Sequence, residues 1–297
     1  MAHPVRPIDK APVRRLMRGR LPRAGLILAL AGFCSGCSFN LSSLTPGSEK
    51  EAAPAAQTAT AAPSILSLSD AIKTHPDDAQ AFSARGTALA LAGRNDDALA
   101  DFDKAISLDP TLAQAYAGRG ALHRKANRLD PALADFSRAI ELDANAAPAW
   151  LGRGMIHKSR GESASALQDL DRALALQPNS AEAHYHRGLL HQAAQQHQLA
   201  VDDLSEAAGL TPQQPDPLLA RAASYIAIGK AREAAADLDE AVQLAPQNAQ
   251  AWTQRGVAYE RLGERAKAAD SYNRALGIRP RDDTARSGLS RLGGKSG

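Results

Sequence analysis

From Pro76 to Pro280 the chain returns to the same residue types every 34 positions. Pro76, Pro110, Pro178, Pro212, Pro246 and Pro280 share one register, with Ala144 in the one slot that lacks proline. Arg85, Arg119, Arg153, Arg187, Arg221 and Arg255 keep a second. Ala98, Ala132, Ala166, Ala200, Ala234 and Ala268 keep a third, and Ala105, Ala139, Ala173, Ala207, Ala241 and Ala275 a fourth. A period of this length describes one supersecondary unit that cannot bury its own apolar face and must stack on its neighbours. Such a chain builds a solenoid rather than a globule.

The unit is helical. Apolar residues make up 44% of the chain but aromatic ones only 4%, so the apolar content is mostly Ala and Leu, strong helix formers of small bulk. β-branched runs with period-two alternation are missing, which argues against sheet. Gly86, Gly120, Gly154, Gly188, Ala222 and Gly256 form a column of small residues where two helices can approach closely. Phe102, Phe136, Leu170, Leu204, Leu238 and Tyr272 supply bulk to fill the space between one hairpin and the next. Gly93, Gly161, Gly229 and Gly263 fall where a first helix would end in a left-handed cap. Asp130-Pro131 reads as the start of a second helix, with a capping acid and a proline in the first turn. The proline that closes each unit stops the second helix. Residues 65–75 align with a second helix that lacks its first. Residues 282–292 read as a lone helix with Ala285, Leu289 and Leu292 on one face, as the end of a solenoid requires.

The 34-residue pattern resembles the tetratricopeptide repeat family. A large apolar or aromatic residue opens the first helix at Phe82, Tyr116, Trp150, Leu218 and Trp252, with His184 departing from the pattern. The resemblance implies an all-α fold, a right-handed superhelical solenoid of six helical hairpins over residues 79–282. A partial repeat at 65–78 would precede it, and a capping helix and tail at 283–297 would follow. It also implies that the chain binds other proteins as peptide segments on a concave face lined by the first helices. Carried over to this sequence, that face includes Ser83, Thr87, Arg124, Lys125, Met155, Lys158, Tyr185, Gln192, Ile226, Glu260 and Arg261. Arg124, Lys125 and Lys158 would form a basic spot suited to an acidic peptide segment. The Lys/Asn set with which some cytosolic relatives clamp a C-terminal carboxylate is not visible.

Five units pair the recurrent arginine with an acid sixteen residues on: Arg85 with Asp101, Arg119 with Asp135, Arg153 with Asp169, Arg187 with Asp203 and Arg221 with Asp237. The sixth offers Arg255 with Ser271, and Asp270 beside it. Sixteen residues carry the chain across the turn, so the spacing predicts a ladder of ion pairs within hairpins. A catalytic group would not be needed six times. His123, His157 and His191 also share the register. Equivalent points on successive hairpins stand on the order of 10 Å apart, whereas zinc takes its nitrogen ligands at about 2 Å. The same column holds Tyr225 and Tyr259, so the histidines read as packing aromatics. A metal-dependent enzyme using that column is the alternative from another class. No phosphate loop or nucleophile motif occurs, and no segment is left over for a catalytic domain. The expectation is a non-enzyme with no cofactor, no metal and no small-molecule substrate.

Charge divides the chain. Residues 1–37 carry seven Lys/Arg and one Asp, whereas residues 65–278 carry 22 basic and 27 acidic side chains. The repeat portion is acidic, which disfavours nucleic acid. A basic stretch from Arg14 to Arg23, an apolar run from Ala24 to Phe33, and small residues before Cys37 read as an export signal. Phe33-Cys34-Ser35-Gly36-Cys37-Ser38 resembles a bacterial lipobox, with Cys34 where leucine is usual. It implies that Cys37 carries a lipid anchor to the membrane, and Ser38 after it favours the periplasmic side of the outer membrane. The alternative is a soluble periplasmic protein. Translation could start at Met1 or Met17. Residues 38–64, rich in Ala, Ser, Thr and Pro, read as a flexible tether. The layout is similar to that of envelope repeat lipoproteins that scaffold cell-wall enzymes. It is also similar to those that assist assembly of secretion or pilus systems, in the manner of a pilotin.

Overall fold

The computed structural model of the protein describes residues 64–293. The export signal, Cys37 and nearly all of the tether lie outside the described residues. Fourteen helices follow one another, and no strand occurs among the described residues. A lone helix α1 (Ile65–Thr74) is followed by the pairs α2 (Ala79–Leu91) and α3 (Asn95–Leu108), α4 (Ala113–Lys125) and α5 (Leu129–Leu142), and α6 (Ala147–Ser159) and α7 (Ser163–Leu176). Then come α8 (Ala181–Ala193) and α9 (His197–Leu210), α10 (Pro215–Ala227) and α11 (Ala231–Leu244), and α12 (Ala249–Arg261) and α13 (Arg265–Ile278), before a lone α14 (Asp283–Gly293).

Each first helix packs on its own second helix, and each second helix packs on the first helix that follows. Successive first helices also touch one another: α2 on α4, α4 on α6, α6 on α8, α8 on α10 and α10 on α12. No two successive second helices do. The first helices therefore stand on the shorter, inner radius of the stack, and their free faces line its concave side.

The bulky column works as a set of wedges between hairpins. Phe102, Phe136, Leu170, Leu204, Leu238 and Tyr272 are all at most 2% exposed, and each such burial is worth about 1.5–3 kcal/mol. Each aromatic wedge has glycine on both sides. A Cβ added at Gly120 would lie 3.1 Å from the Phe136 ring in the same hairpin, and one added at Gly152 would lie 2.3 Å from Phe136 Cζ across the hairpin interface. Phe102 and Gly118 repeat that contact at 2.4 Å, and Tyr272 and Gly288 at 2.3 Å. Glycine at these positions is set by the ring of the unit before. Where the wedge is leucine, at 170, 204 and 238, the residue sixteen positions on is His186, Ala220 or Gln254.

Turn chemistry follows the register. Gly93, Gly161, Gly229 and Gly263 hold φ between 75° and 79°, and Asn127 and Gln195 take the same left-handed conformation in the two units without glycine. One expectation from sequence needs correction. α5 begins at Leu129 with Arg128 as its N-cap, and no side chain caps it. Asp130 lies inside the first turn and accepts a bond from the Arg160 guanidinium instead. At the end of the stack, α14 covers the last apolar face with Ala285, Leu289 and Leu292. Asp282 caps it by accepting from the backbone N–H of Ala285 at 3.0 Å.

Candidate functional site: the inner face

The arginine ladder sets the geometry of the inner face. Arg85, Arg119, Arg153, Arg187 and Arg221 each donate through Nε and Nη2 to the two oxygens of Asp101, Asp135, Asp169, Asp203 and Asp237, at 2.6–2.9 Å. The five aspartates are 3–7% exposed. The bidentate fork joins each first helix to its second with a defined geometry. Burial opposes ionisation of Asp203, but the bonds from Arg187 and His184 prevail and hold its carboxyl below the usual aspartate value. Four of the arginines also lie over the ring three residues earlier: Arg85 over Phe82, Arg119 over Tyr116, Arg153 over Trp150 and Arg255 over Trp252, at 4.8–5.6 Å.

Half of the ladder escaped the sequence reading. Nη1 reaches backward sixteen residues to the previous second helix: Arg85 to Ser69, Arg119 to Asp103, Arg187 to Asp171 and Arg221 to Ser205, at 2.7–3.2 Å. In the last unit Nε of Arg255 does this, bonding Asp239 at 2.7 Å, while Nη1 holds Ser271. Asp270 is not its partner and pairs with Arg274 at 3.5 Å. The arginines thus tie hairpin to hairpin as well as helix to helix. The signal was legible, because positions 69, 103, 137, 171, 205 and 239 alternate serine and aspartate.

His123, His157 and His191 stand beside the ladder, each with Nε2 3.8 Å from an oxygen of Asp135, Asp169 or Asp203. Among the described residues no group of three or more His, Cys, Asp or Glu side chains is arranged to hold a metal ion. His184 takes over the tryptophan's bond. Its Nε2 lies 2.9 Å from the Pro178 carbonyl, where the Trp150 and Trp252 indoles donate to Ala144 and Pro246 at 3.0 and 2.9 Å.

The residues expected to meet a partner separate into two groups. Ser83 is 1% exposed and faces the core, so it is not a contact residue. Glu260 accepts both bonds of the Arg291 fork at 2.7 and 2.8 Å and a third from Tyr272 Oη at 2.6 Å, which fastens α14 to the stack. Arg261 donates to the Ile226 carbonyl, and Ile226 packs on the core of the last two hairpins. Gln192 donates to the Ala220 carbonyl and to Ser224 Oγ, both at 3.0 Å. These four serve the fold because they sit where consecutive first helices meet. Thr87 is exposed, and its hydroxyl donates to the Ser83 carbonyl at 3.0 Å. Lys125 is exposed, 3.4 Å from Asn95 Oδ1.

The other group forms a cavity of about 380 Å³ between α4, α6 and α8, lined by Arg124, Leu129, Met155, Ile156, Lys158 and His186. Lys158 Nζ stands 3.2 Å from His186 Nδ1. Arg124 Nε is buried without a hydrogen-bond partner, and among the described residues neither Arg124 nor Lys158 has a carboxylate within ion-pair distance. Burial lowers Lys158 from its usual value. Burial, then Lys158 and Arg124, push His186 down to about 4, so its ring is neutral at physiological pH and accepts from Lys158. Tyr185 lies against His186 with ring centroids 5.3 Å apart. It lines a second cavity of about 360 Å³ with Glu182, Thr211, Gln214, Asp216 and Pro217. The sequence signal for this role of His186 is the absence of glycine at its register position after Leu170.

The histidine gives the fold a pH dependence. Between pH 6.5 and about 4 the unfolded chain binds a proton at residue 186 that the folded chain does not, so stability falls as pH falls through that window. His123, also lowered chiefly by burial, acts in the same direction. Urea midpoints at pH 6.5 and 4.5 should drop less for His186→Gln than for the wild type; equal drops would remove residue 186 from this account.

Four stretches match family profiles described as TPR or tetratricopeptide repeat: residues 79–112, 113–145, 154–195 and 219–283, together more than half of the chain. None of these is an enzyme family. No curated protein matches the chain. Among solved structures, YrrB, described as a TPR protein with an unusual peptide-binding site, is 25% identical, with a TM-score of 0.59 over 64% of this chain and 97% of its own. Pseudomonas aeruginosa PilF is 19% identical, with a TM-score of 0.63 over 72% of this chain and 97% of its own. A chain of the Cut9–Hcn1 hetero-tetramer of the APC/C is 20% identical, with a TM-score of 0.60 over 76% of this chain and 45% of its own. The last two likenesses concern the fold alone.

Proposed function

The chain belongs to the tetratricopeptide repeat family, and from that premise we propose that it is a docking platform which holds an extended peptide segment of a partner protein on its inner face. The observation that carries this reading is the inner face between α4 and α10. Two cavities there present apolar walls beside charges that have no ion-pair partner among the described residues, whereas the ladder arginines and aspartates close by are paired. An apolar lining with a few placed polar groups is what peptide recognition uses. The likeness to YrrB, a TPR protein described as having an unusual peptide-binding site, supports it. Arginine at Ala121 and Ala223, small residues of the first helices, should obstruct the groove without touching the core. The double variant should lose its co-purifying partner while melting like the wild type. A partner retained at wild-type yield contradicts the reading.

The site of action we propose is the bacterial cell envelope, with the platform held at the membrane by a lipid on Cys37. The basic stretch, short apolar run and lipobox-like residues 33–38 support this. Among the described residues no helix is long and apolar enough to cross a membrane. An assembly factor for a secretion or pilus system would use the same inner face. Cys37→Ala should move the protein from the membrane fraction to the soluble one; wild type already in the soluble fraction contradicts the anchor.

A further inference from the structure

The two cavities of the inner face carry opposite charge and are lined by adjacent residues of α8, His186 in the first and Tyr185 in the second. On one side of the Tyr185–His186 pair stand Arg124 and Lys158; on the other stand Glu182 and Asp216. None of the four has an ion-pair partner among the described residues; Glu182 and Asp216 are exposed in the first turns of α8 and α10. Arg124 carries in addition a buried, unbonded Nε, and a buried donor without an acceptor costs about 1–3 kcal/mol. Lys158 is held only by a neutral imidazole. A carboxylate entering the first cavity would satisfy the Arg124 donor and offset the charge of both cations. The ring of Tyr185, set between the cavities, offers an apolar contact to whatever links the two charges.

We propose that the segment seated on the inner face carries an acidic side chain that enters the Arg124–Lys158 cavity and a basic side chain that reaches Glu182 and Asp216 beyond Tyr185. This inference rests on the docking reading above and adds the charge pattern of the occupant. His186 makes the first cavity possible. A phenylalanine wedge at 170 would require glycine at 186, as Phe102 and Phe136 require it at 118 and 152, and the imidazole that lines the first cavity beside Lys158 would be lost.

The test is selection of a displayed random peptide library on the full-length protein, repeated on Arg124→Glu/Lys158→Glu and on Glu182→Lys/Asp216→Lys. Wild type should enrich peptides with one acidic and one basic residue at a constant separation. Each charge-reversed protein should bind those peptides roughly tenfold or more weakly and select peptides with the charge reversed at that end alone. Thermal melts equal to wild type establish that the variants are folded. Enriched peptides that lack the acidic residue, or that bind all three proteins equally, overturn this inference and leave the docking reading intact. If enriched peptides bind the Ala121→Arg/Ala223→Arg protein as tightly as wild type, the docking reading itself fails.

Discussion

Alanine at Gly152 destabilises the repeat domain, and leucine at Phe136 in the same molecule restores most of the loss. The added methyl would stand 2.3 Å from Phe136 Cζ and 2.6 Å from Cε1, closer than carbon atoms pack, and the ring is enclosed between hairpins with nowhere to swing. Overpacking of this kind costs about 1–3 kcal/mol, more than the roughly 1 kcal/mol that alanine gains over glycine inside a helix. Leu204 followed by Ala220 shows the pair that the double variant would create. Phe136→Leu alone should cost because it opens a void, and the double variant should cost less than the sum of the two singles. Gly209→Ala and Gly277→Ala, where an added Cβ meets nothing within 4 Å, are controls that should be neutral or stabilising. Denaturant midpoints of the four proteins of the cycle check it. Simple additivity would mean that ring and glycine do not constrain each other.

Asp169→Ala should be the most damaging single change in the ladder, at about 3–5 kcal/mol. The carboxylate is 3% exposed and accepts both bonds of the Arg153 fork. Removing it leaves a guanidinium in a half-buried site with no anion. Asp103→Ala offers the contrast. That side chain is 61% exposed and accepts one bond from Arg119, which keeps Asp135, so its loss should cost under about 1 kcal/mol. Replacing Arg153 and Asp169 together with Met and Leu should recover most of the stability, because desolvating a buried pair nearly cancels its attraction. Urea unfolding measures all three. Equal losses for Asp169→Ala and Asp103→Ala would show that burial does not set the worth of these bonds.

Much of this was legible in the sequence because a repeat shows each structural demand six times. The period, the wedge column, the left-handed caps at the four glycines and the forward spacing of arginine to aspartate all follow from residue types at constant intervals. What escaped was what depends on side-chain reach across units. The backward Nη1 bonds to Ser69, Asp103, Asp171 and Ser205 are written in an alternating column whose meaning appears only when hairpins are stacked. Of the inner-face residues carried over by register, Ser83, Gln192, Ile226, Glu260 and Arg261 are engaged by the fold itself. Register fixes which way a Cα faces, but not whether a neighbouring helix has claimed the side chain: Gln192 is taken by α10 and Glu260 by α14. The cavity around Lys158 depends on Leu170 being smaller than Phe136, a difference of packing volume between two units that look equivalent along the chain.

The central claim is that the inner face, rather than the outer one, holds the partner. A photo-reactive amino acid placed in living cells at Met155 or Leu189 on first helices, and at Lys104 or Arg172 on second helices, tests it directly. The account predicts a discrete crosslinked band from residues 155 and 189 and none from 104 and 172. A band from the second-helix positions alone would contradict it.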